Sequence, residues 1–456
     1  MSELIAKQGE SPYRVAKDKF QEPPRTFLER LKWIGPGIVV SASIVGGGEL
    51  IATTTLGARA GFVTLWAILI SCIVKIILQL EMGKAAITTG KPTLSFWDTL
   101  PGPRLIANWA VWAWGVFLVF KIFQMGGVIG ACGLSINLAI PGLSFVVATL
   151  LVMIIVIPIL ALGRYEFIER LSMALVFLFV VFTIGIAIMT LKTPWAYSLK
   201  DIFSGLTFRL PPEVAFYALG AFGITGIGGD EIIMYPYWCV EKGYTTLTGP
   251  MERTGAWYGR ARGWIRVMYL DAVIAMIIYT VATIAFYLLG ASILHGLDQI
   301  PKGLGVVKAL AHMYMEPLGP WALYVMAIGG FIVLFSTLVS WNAATQRIIA
   351  DFLTRLKLID LEDYRQFRTV IIVTGFLIPI AFAVLALVWK APAFMLFVGG
   401  WATSLILLVL IYASFYHRFK VLDKELKPGV FYDIFLIVGS IAIGLVVVYT
   451  VITLIS

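Results

Sequence analysis

Long uninterrupted apolar runs, separated by charged clusters or by Pro and Gly, divide the chain into eleven segments near residues 33–57, 62–88, 104–138, 143–162, 167–191, 213–241, 265–294, 319–352, 368–389, 392–416 and 431–454. Each meets or exceeds the roughly 18 to 20 residues an α-helix needs to cross about 30 Å of hydrocarbon. Nothing alternates polar and apolar residues over about ten positions, as lipid-facing barrel strands do. The pattern predicts an all-α polytopic membrane protein. Residues 1–32 are polar and basic, without the apolar stretch and cleavage site of a secretory signal, so a retained tail is expected there, followed by one transmembrane domain over 33–454. The largest loop opposite the tail, from His295 to Glu316, places Leu297, Val306, Val307 and Leu310 at the spacing of a short amphipathic helix.

Composition agrees: 60% of the 456 residues are hydrophobic and 13% charged, about half the charged fraction of a soluble domain, and the mean hydropathy is +0.91. The net charge of +9 does not point to nucleic acid once its distribution is considered. With the amino terminus inside, 26 of the 35 Lys and Arg fall in cytoplasmic segments and 7 in external ones, which predicts a plasma-membrane (inner-membrane) protein with a cytoplasmic amino terminus and an external carboxy terminus. Cys72, Cys132 and Cys239 lie in or beside apolar segments without CxxC spacing, and read as core residues. No nucleophile with a base, no phosphate loop and no cofactor motif stands out, so an enzyme is not expected.

Two long helices are interrupted alike. Gly46-Gly47-Gly48-Glu49-Leu50-Ile51 in the first is echoed by Gly228-Gly229-Asp230-Glu231-Ile232-Ile233 in the sixth. Glycines let a helix unwind at little steric cost, and freed backbone groups are tolerated at bilayer depth only where they line a protein-walled cavity. The first and sixth helices open two five-helix sets, about 33–191 and 213–416, with an extra helix at 431–454. That is the arrangement of a 5+5 inverted repeat of the LeuT type, with discontinuous helices 1 and 6 facing each other across a substrate site. Carboxylates at that depth are costly and mark function by default, which singles out Glu49, Asp230 and Glu231. Each carboxylate also sits where it would cap the half-helix that follows.

The run Gly35-Pro36-Gly37-Ile38-Val39-Val40-Ser41, with Gly57, Gly61 and Phe62 after it, resembles helix 1 of the natural resistance-associated macrophage protein (NRAMP) family of proton-coupled divalent-metal transporters. Gln79 through Thr89-Gly90 is similar to that family's second helix, Arg164-Tyr165-Glu166 through Arg170 to its entry into helix 5, Asp271 to its helix 7 acidic position, and Ser336-Thr337 through Gln346 to its polar eighth helix. The resemblance covers about residues 30–415 and implies a secondary transporter working by alternating access. The family's metal motifs are altered. Asp-Pro-Gly-Asn aligns with Gly46-Gly47-Gly48-Glu49, and Met-Pro-His aligns by its proline with Tyr235-Pro236-Tyr237, leaving Met234 one position away.

The resemblance therefore implies a substrate site at Gly46, Gly47, Gly48, Glu49, Asp230, Glu231, Met234, Tyr235 and Tyr237, and a small cationic substrate. Two glutamates and freed carbonyls make an oxygen-rich site suited to Mg²⁺ or Mn²⁺, with Glu49, Glu231 and Asp230 as ligands. The same losses leave room for an organic solute, an amino acid or polyamine, with Trp238, Tyr217 and Tyr237 facing a cation or ring. Lys121 and Gln124 lie one turn apart in the third helix, and Lys121 either pairs with a site carboxylate in the empty carrier or snorkels to an interface. Lys75 is expected to snorkel to an interface, and Glu81 with Lys84 to form an interfacial pair. Asn342, Thr345 and Gln346 are polar enough to line a pathway. His295, His312 and His417 sit in or next to loops, so protons, if they are carried, are expected to move on Glu49, Asp230 or Glu231. A monomer is compatible with all of this.

Overall fold

The computed structural model describes residue 13, residues 20–162 and residues 166–455. The apolar runs become helices close to their expected bounds: α1 (Pro36–Ala60), α2 (Leu65–Thr89), α3 (Trp109–Ala139), α4 (Phe145–Leu162), α5 (Glu166–Thr190), α6a (Ala215–Ile224), α6b (Gly229–Lys242), α7 (Gly255–Leu294), α8 (Ala322–Arg355), α9 (Tyr364–Trp389), α10 (Pro392–Val421) and α11 (Val430–Ile455). Among the described residues nine helices are long and apolar enough to cross a membrane; the apolar stretch of α4 is shorter, and α6 crosses as two halves. The most apolar window of α1 is 89% buried against 33% for α11. The first helix is thus enclosed by protein, and the extra helix faces lipid. The one strand pairing among the described residues is a two-residue antiparallel match, Arg104–Leu105 with Ala107–Asn108.

The first helix departs from expectation. It does not unwind at its glycines; residues Val45–Thr53 form a π-helix between two α-helical halves. The Thr54 amide reaches back five residues to the Glu49 carbonyl, and the Thr53 and Thr54 hydroxyls lie 3.1 and 3.2 Å from the Gly48 and Glu49 carbonyls. Carbonyls that an unwound segment would free are re-paired in the wider turn, the usual form of a π-bulge.

Three other expectations change. The connection over 241–264 is mostly helical: Tyr244–Thr248 forms a short helix, and α7 begins at Gly255, where the Thr254 side chain caps the Trp257 amide. Glu81 and Lys84 are not interfacial. Both are fully buried, 2.7 Å apart, with His417 Nδ1 2.6 Å from Glu81 and the Tyr432 hydroxyl donating to it at 2.5 Å. His417 is therefore a core residue at the end of α10. The helix expected in the large loop is present as Val306–Leu318, burying Val306, Val307 and Leu310. Arg164 and Tyr165, and the side chains of Glu166, Glu169 and Arg170, lie outside the described residues. The three cysteines are free and buried.

Candidate functional site

The sixth helix does break. Ile224 ends α6a, Gly226 takes φ +64°, and Gly228 precedes the first turn of α6b. Breaking a helix leaves carbonyls at one end and amides at the other without partners, and in lipid the protein itself must supply them.

At the end of α6a the partners are two buried charges. Lys75 Nζ donates to the Phe222 carbonyl at 2.8 Å and the Thr225 carbonyl at 2.7 Å. Glu49 Oε1 accepts from the Gly226 amide at 2.8 Å. Thr225 C=O and Gly226 N–H belong to one peptide unit, so an ammonium grips its negative end and a carboxylate its positive end. The second oxygen of Glu49 takes the Thr53 hydroxyl at 2.8 Å, and Thr53 lies 2.9 Å from Thr225 Oγ1. Glu49 is thus occupied in holding α1 to the break. Lys75 does not snorkel: it is fully buried at a kink in α2, between Leu65–Val74 and Ile76–Thr89.

At the start of α6b stand Asp230 and Glu231. Acidic residues are favoured there by the exposed amides and by the roughly half elementary charge of a helix amino terminus. Asp230 Oδ2 lies 2.5 Å from Lys121 Nζ and accepts from Trp341 Nε1 at 3.0 Å, so of the two uses open to Lys121 the pairing with a carboxylate is the one present. Lys121 also donates to Gln124 Oε1 at 2.7 Å. Glu231 Oε1 accepts from Ser43 of α1 at 3.1 Å. No donor from outside the pair reaches Asp230 Oδ1 or Glu231 Oε2, the two carboxyl groups lie within hydrogen-bonding reach of each other, and both approach Gly228, where a Cβ would collide with Glu231 Oε2 and come within 2.8 Å of Asp230 Oδ1. Lys121, Asp230, Met234, Trp341 and Thr345 line a cavity of about 10 Å³ together with Trp114 and Phe117. That is room for about one water.

The remaining expected site residues lie elsewhere. Gly46 backs onto α8: its amide bonds Thr337 Oγ1 at 3.1 Å, and a Cβ there would overlap that oxygen and come within 2.7 Å of the Val333 carbonyl. Gly47 packs on Leu396 and Val128, and Gly48 on the Ile224 carbonyl. No cluster of three or more His, Cys, Asp or Glu able to hold a metal occurs among the described residues. Glu49 is committed elsewhere than the Asp230–Glu231 pair, one oxygen to the Gly226 amide and the other to the Thr53 hydroxyl. Tyr235 and Tyr237 are turned from the cavity toward the tail face, where they donate to Asp271 at 2.8 Å and Asp351 at 2.7 Å. Tyr217 and Trp238 already carry cations, with Arg59 3.8 Å and Arg347 4.8 Å from their ring centres. Asn342 is buried and neither end of its amide has a partner.

Asp271 accepts from the Gly35 and Gly37 amides at 2.7 Å each, holding the first turn of α1. Asp351 also accepts from the Ser95 amide and hydroxyl, and Glu241 takes Arg347 through two bonds of 2.6 and 3.0 Å. Sequence reasoning missed the roles of Lys75, Asp351 and Glu241. The available signal was a charge inside or at the end of an apolar run.

The family model described as natural resistance-associated macrophage protein-like matches residues 37–453. The chain is 23% identical over 351 residues, 72% of either chain, to an uncharacterized protein of Pasteurella multocida (strain Pm70). Over 123 residues, 27% of either chain, it is 29% identical to the divalent metal cation transporter MntH of Verminephrobacter eiseniae (strain EF01-2). The crystal structure of the Eremococcus coleocola manganese transporter shares its fold, with a TM-score of 0.64 at 14% identity, covering 96% of this chain and 90% of that one. With an all-helical LeuT-type fold and a family match over nearly its whole length, the chain belongs to the natural resistance-associated macrophage protein family of membrane transporters.

Proposed function

We propose that the protein is a secondary carrier of a small divalent cation, of the Mg²⁺ or Mn²⁺ class, bound by Asp230 and Glu231 at the start of α6b. The observation that carries this reading is the buried acidic pair, whose Asp230 Oδ1 and Glu231 Oε2 meet no donor from outside the pair. Two adjacent carboxyl groups beside a single ammonium are costly at bilayer depth, and a cation bound between them offsets that cost. The donors are hard oxygens, suited to ions that keep several waters, and the Met234 thioether on the cavity wall adds a softer donor that favours Mn²⁺. In the empty carrier Lys121 stands in for the substrate, and it withdraws toward Gln124 when the ion arrives. Glu49 acts as the clamp of the break rather than as a ligand. The 5+5 repeat rocks around this site, with the amino terminus cytoplasmic, and protons, where they couple, use the Asp230–Glu231 pair.

The test is uptake of Mn²⁺ and Mg²⁺ into proteoliposomes at two pH values and two membrane potentials, for the unaltered protein, Asp230→Asn and Glu231→Gln. Saturable uptake with KM raised about tenfold or more in either variant is expected. Unchanged KM in both would remove the acidic pair from the site. A rise in uptake with an inward proton gradient, lost in Glu231→Gln, is the expected mark of proton coupling.

A second reading has one observation in its favour. Lys121 and Asp230 put one positive and one negative group on the wall of a small aromatic-lined cavity, the complement of a zwitterion. Folded protein that passes neither metal, but whose thermal stability rises with an amino acid or polyamine, would select that reading.

A further inference from the structure

Among the described residues, Lys84 and Lys121 are buried against carboxylates, but Lys75 is buried with no carboxylate at ion-pair distance. Its ammonium instead donates to the Phe222 and Thr225 carbonyls, with the Phe222 ring centre 5.4 Å away. Ser71 Oγ reaches the same two carbonyls at 3.0 and 2.9 Å, so four oxygen and nitrogen atoms converge on one spot. Backbone oxygens at a helix carboxy terminus carry about half a negative charge, and converging carbonyls are what replaces the water shell of a desolvated monovalent cation. Burying an ammonium without a carboxylate is costly, and these carbonyls, with the Glu49 carboxylate across the shared peptide, must offset that cost.

We propose that the end of α6a is a monovalent-cation site and that Lys75 fills it as a tethered cation, making Lys75 a positioning residue for the break. A tethered cation cannot leave with the substrate. The Thr225–Gly226 peptide therefore stays fixed through the cycle, and with it the direction in which α6b presents Asp230 and Glu231. Three consequences follow: the unaltered protein needs no alkali cation, removal of the side chain creates a vacancy with carbonyl walls and an unbalanced Glu49, and a small cation from solution can fill that vacancy.

The experiment uses the full chain, without divalent ions, so that its outcome is independent of which substrate is carried. Thermal unfolding of the unaltered protein, Lys75→Ala and Lys75→Met is followed in choline chloride and in NH₄Cl, KCl or NaCl at constant ionic strength. Lys75→Ala is expected to unfold several degrees lower in choline and to recover, saturably, in at least one small cation. The unaltered protein and Lys75→Met, whose thioether chain refills the volume without charge, are expected to show no such recovery. Where Lys75→Ala is not monodisperse in choline, its yield after solubilisation in ammonium carries the same expectation, restored for Ala and not for Met. Cation effects equal in all three proteins, or absent in Lys75→Ala, would overturn the proposal.

Discussion

A carboxylate at bilayer depth is defined by what its two oxygens meet. Glu49 has both oxygens satisfied, by the Gly226 amide and the Thr53 hydroxyl, whereas Glu231 has one satisfied and one that meets no donor from outside the acidic pair. Glu49→Gln keeps an oxygen for the Gly226 amide but loses the charge that balances Lys75 across the peptide. Stability is expected to fall by roughly 1–3 kcal/mol, the scale of a lost charge-assisted hydrogen bond. Substrate KM should stay within about twofold, in contrast to Glu231→Gln. Denaturation midpoints and uptake kinetics on the same preparations separate the two glutamates; an equal rise in KM for both would return Glu49 to the ligand set. Gly46 supplies a second contrast. Restoring the family's aspartate as Gly46→Asp forces a side chain into Thr337 Oγ1 and the Val333 carbonyl, so it is expected to lower the melting temperature and leave cation affinity no better. Tighter Mn²⁺ binding by that variant would show that α8 can yield.

At the scale of elements, the tail-face ends of α1, α6b, α7 and α8 are joined through three carboxylates. Asp271 ties the first turn of α1 to Tyr235 of α6b, Asp351 ties α8 and the short helix Thr93–Trp97 to Tyr237, and Glu241 ties α6b to Arg347. Opening that face requires these bonds to part, so the two tyrosine hydroxyls act as latches. Tyr235→Phe and Tyr237→Phe each remove about 1 kcal/mol of closed-state stabilisation, shifting the equilibrium toward the tail-face-open form by about fivefold. Labelling of a cysteine placed at Ser41, now buried, should accelerate accordingly; an unchanged rate would mean the hydroxyls do not bear on the gate. The alignment through Pro236 places these tyrosines at substrate-binding positions because it carries sequence register, not rotation about the helix. Asp230 and Met234, four residues apart, share the face that lines the cavity. The helices, the break in α6 and the acidic pair were legible from apolar runs, glycines and charges. The π-turn of α1 was not, because Gly-rich sequence permits unwinding and re-pairing alike, and only the hydroxyls of Thr53 and Thr54 and the contact with α8 decide between them.

Over the whole molecule, buried charges fall into two groups with different consequences. Toward the tail face most are matched by opposite charges: Lys84 with Glu81, Arg347 with Glu241, Arg418 with Asp433 and Arg355 with Asp351. Near the break in α6 Asp230 pairs with Lys121, but Glu231 and Lys75 each lack a direct ion-pair partner among the described residues. Matched pairs hold helices together; of the unmatched groups, Lys75 is spent on the carbonyls at the end of α6a and Glu231 is left for a substrate. The cluster of Glu81, Lys84, His417 and Tyr432 is the sharpest test of that division, because it joins α2, α10 and the lipid-facing α11 far along the chain from the acidic pair. Glu81→Gln leaves Lys84 buried without its partner, a loss on the order of 3–5 kcal/mol. The expected result is a marked drop in melting temperature with substrate KM unchanged in the fraction that remains folded. The opposite pattern, intact stability with transport lost or its pH dependence shifted, would move His417 and Glu81 from the scaffold into the conduction path, and with them the extra helix that Tyr432 anchors.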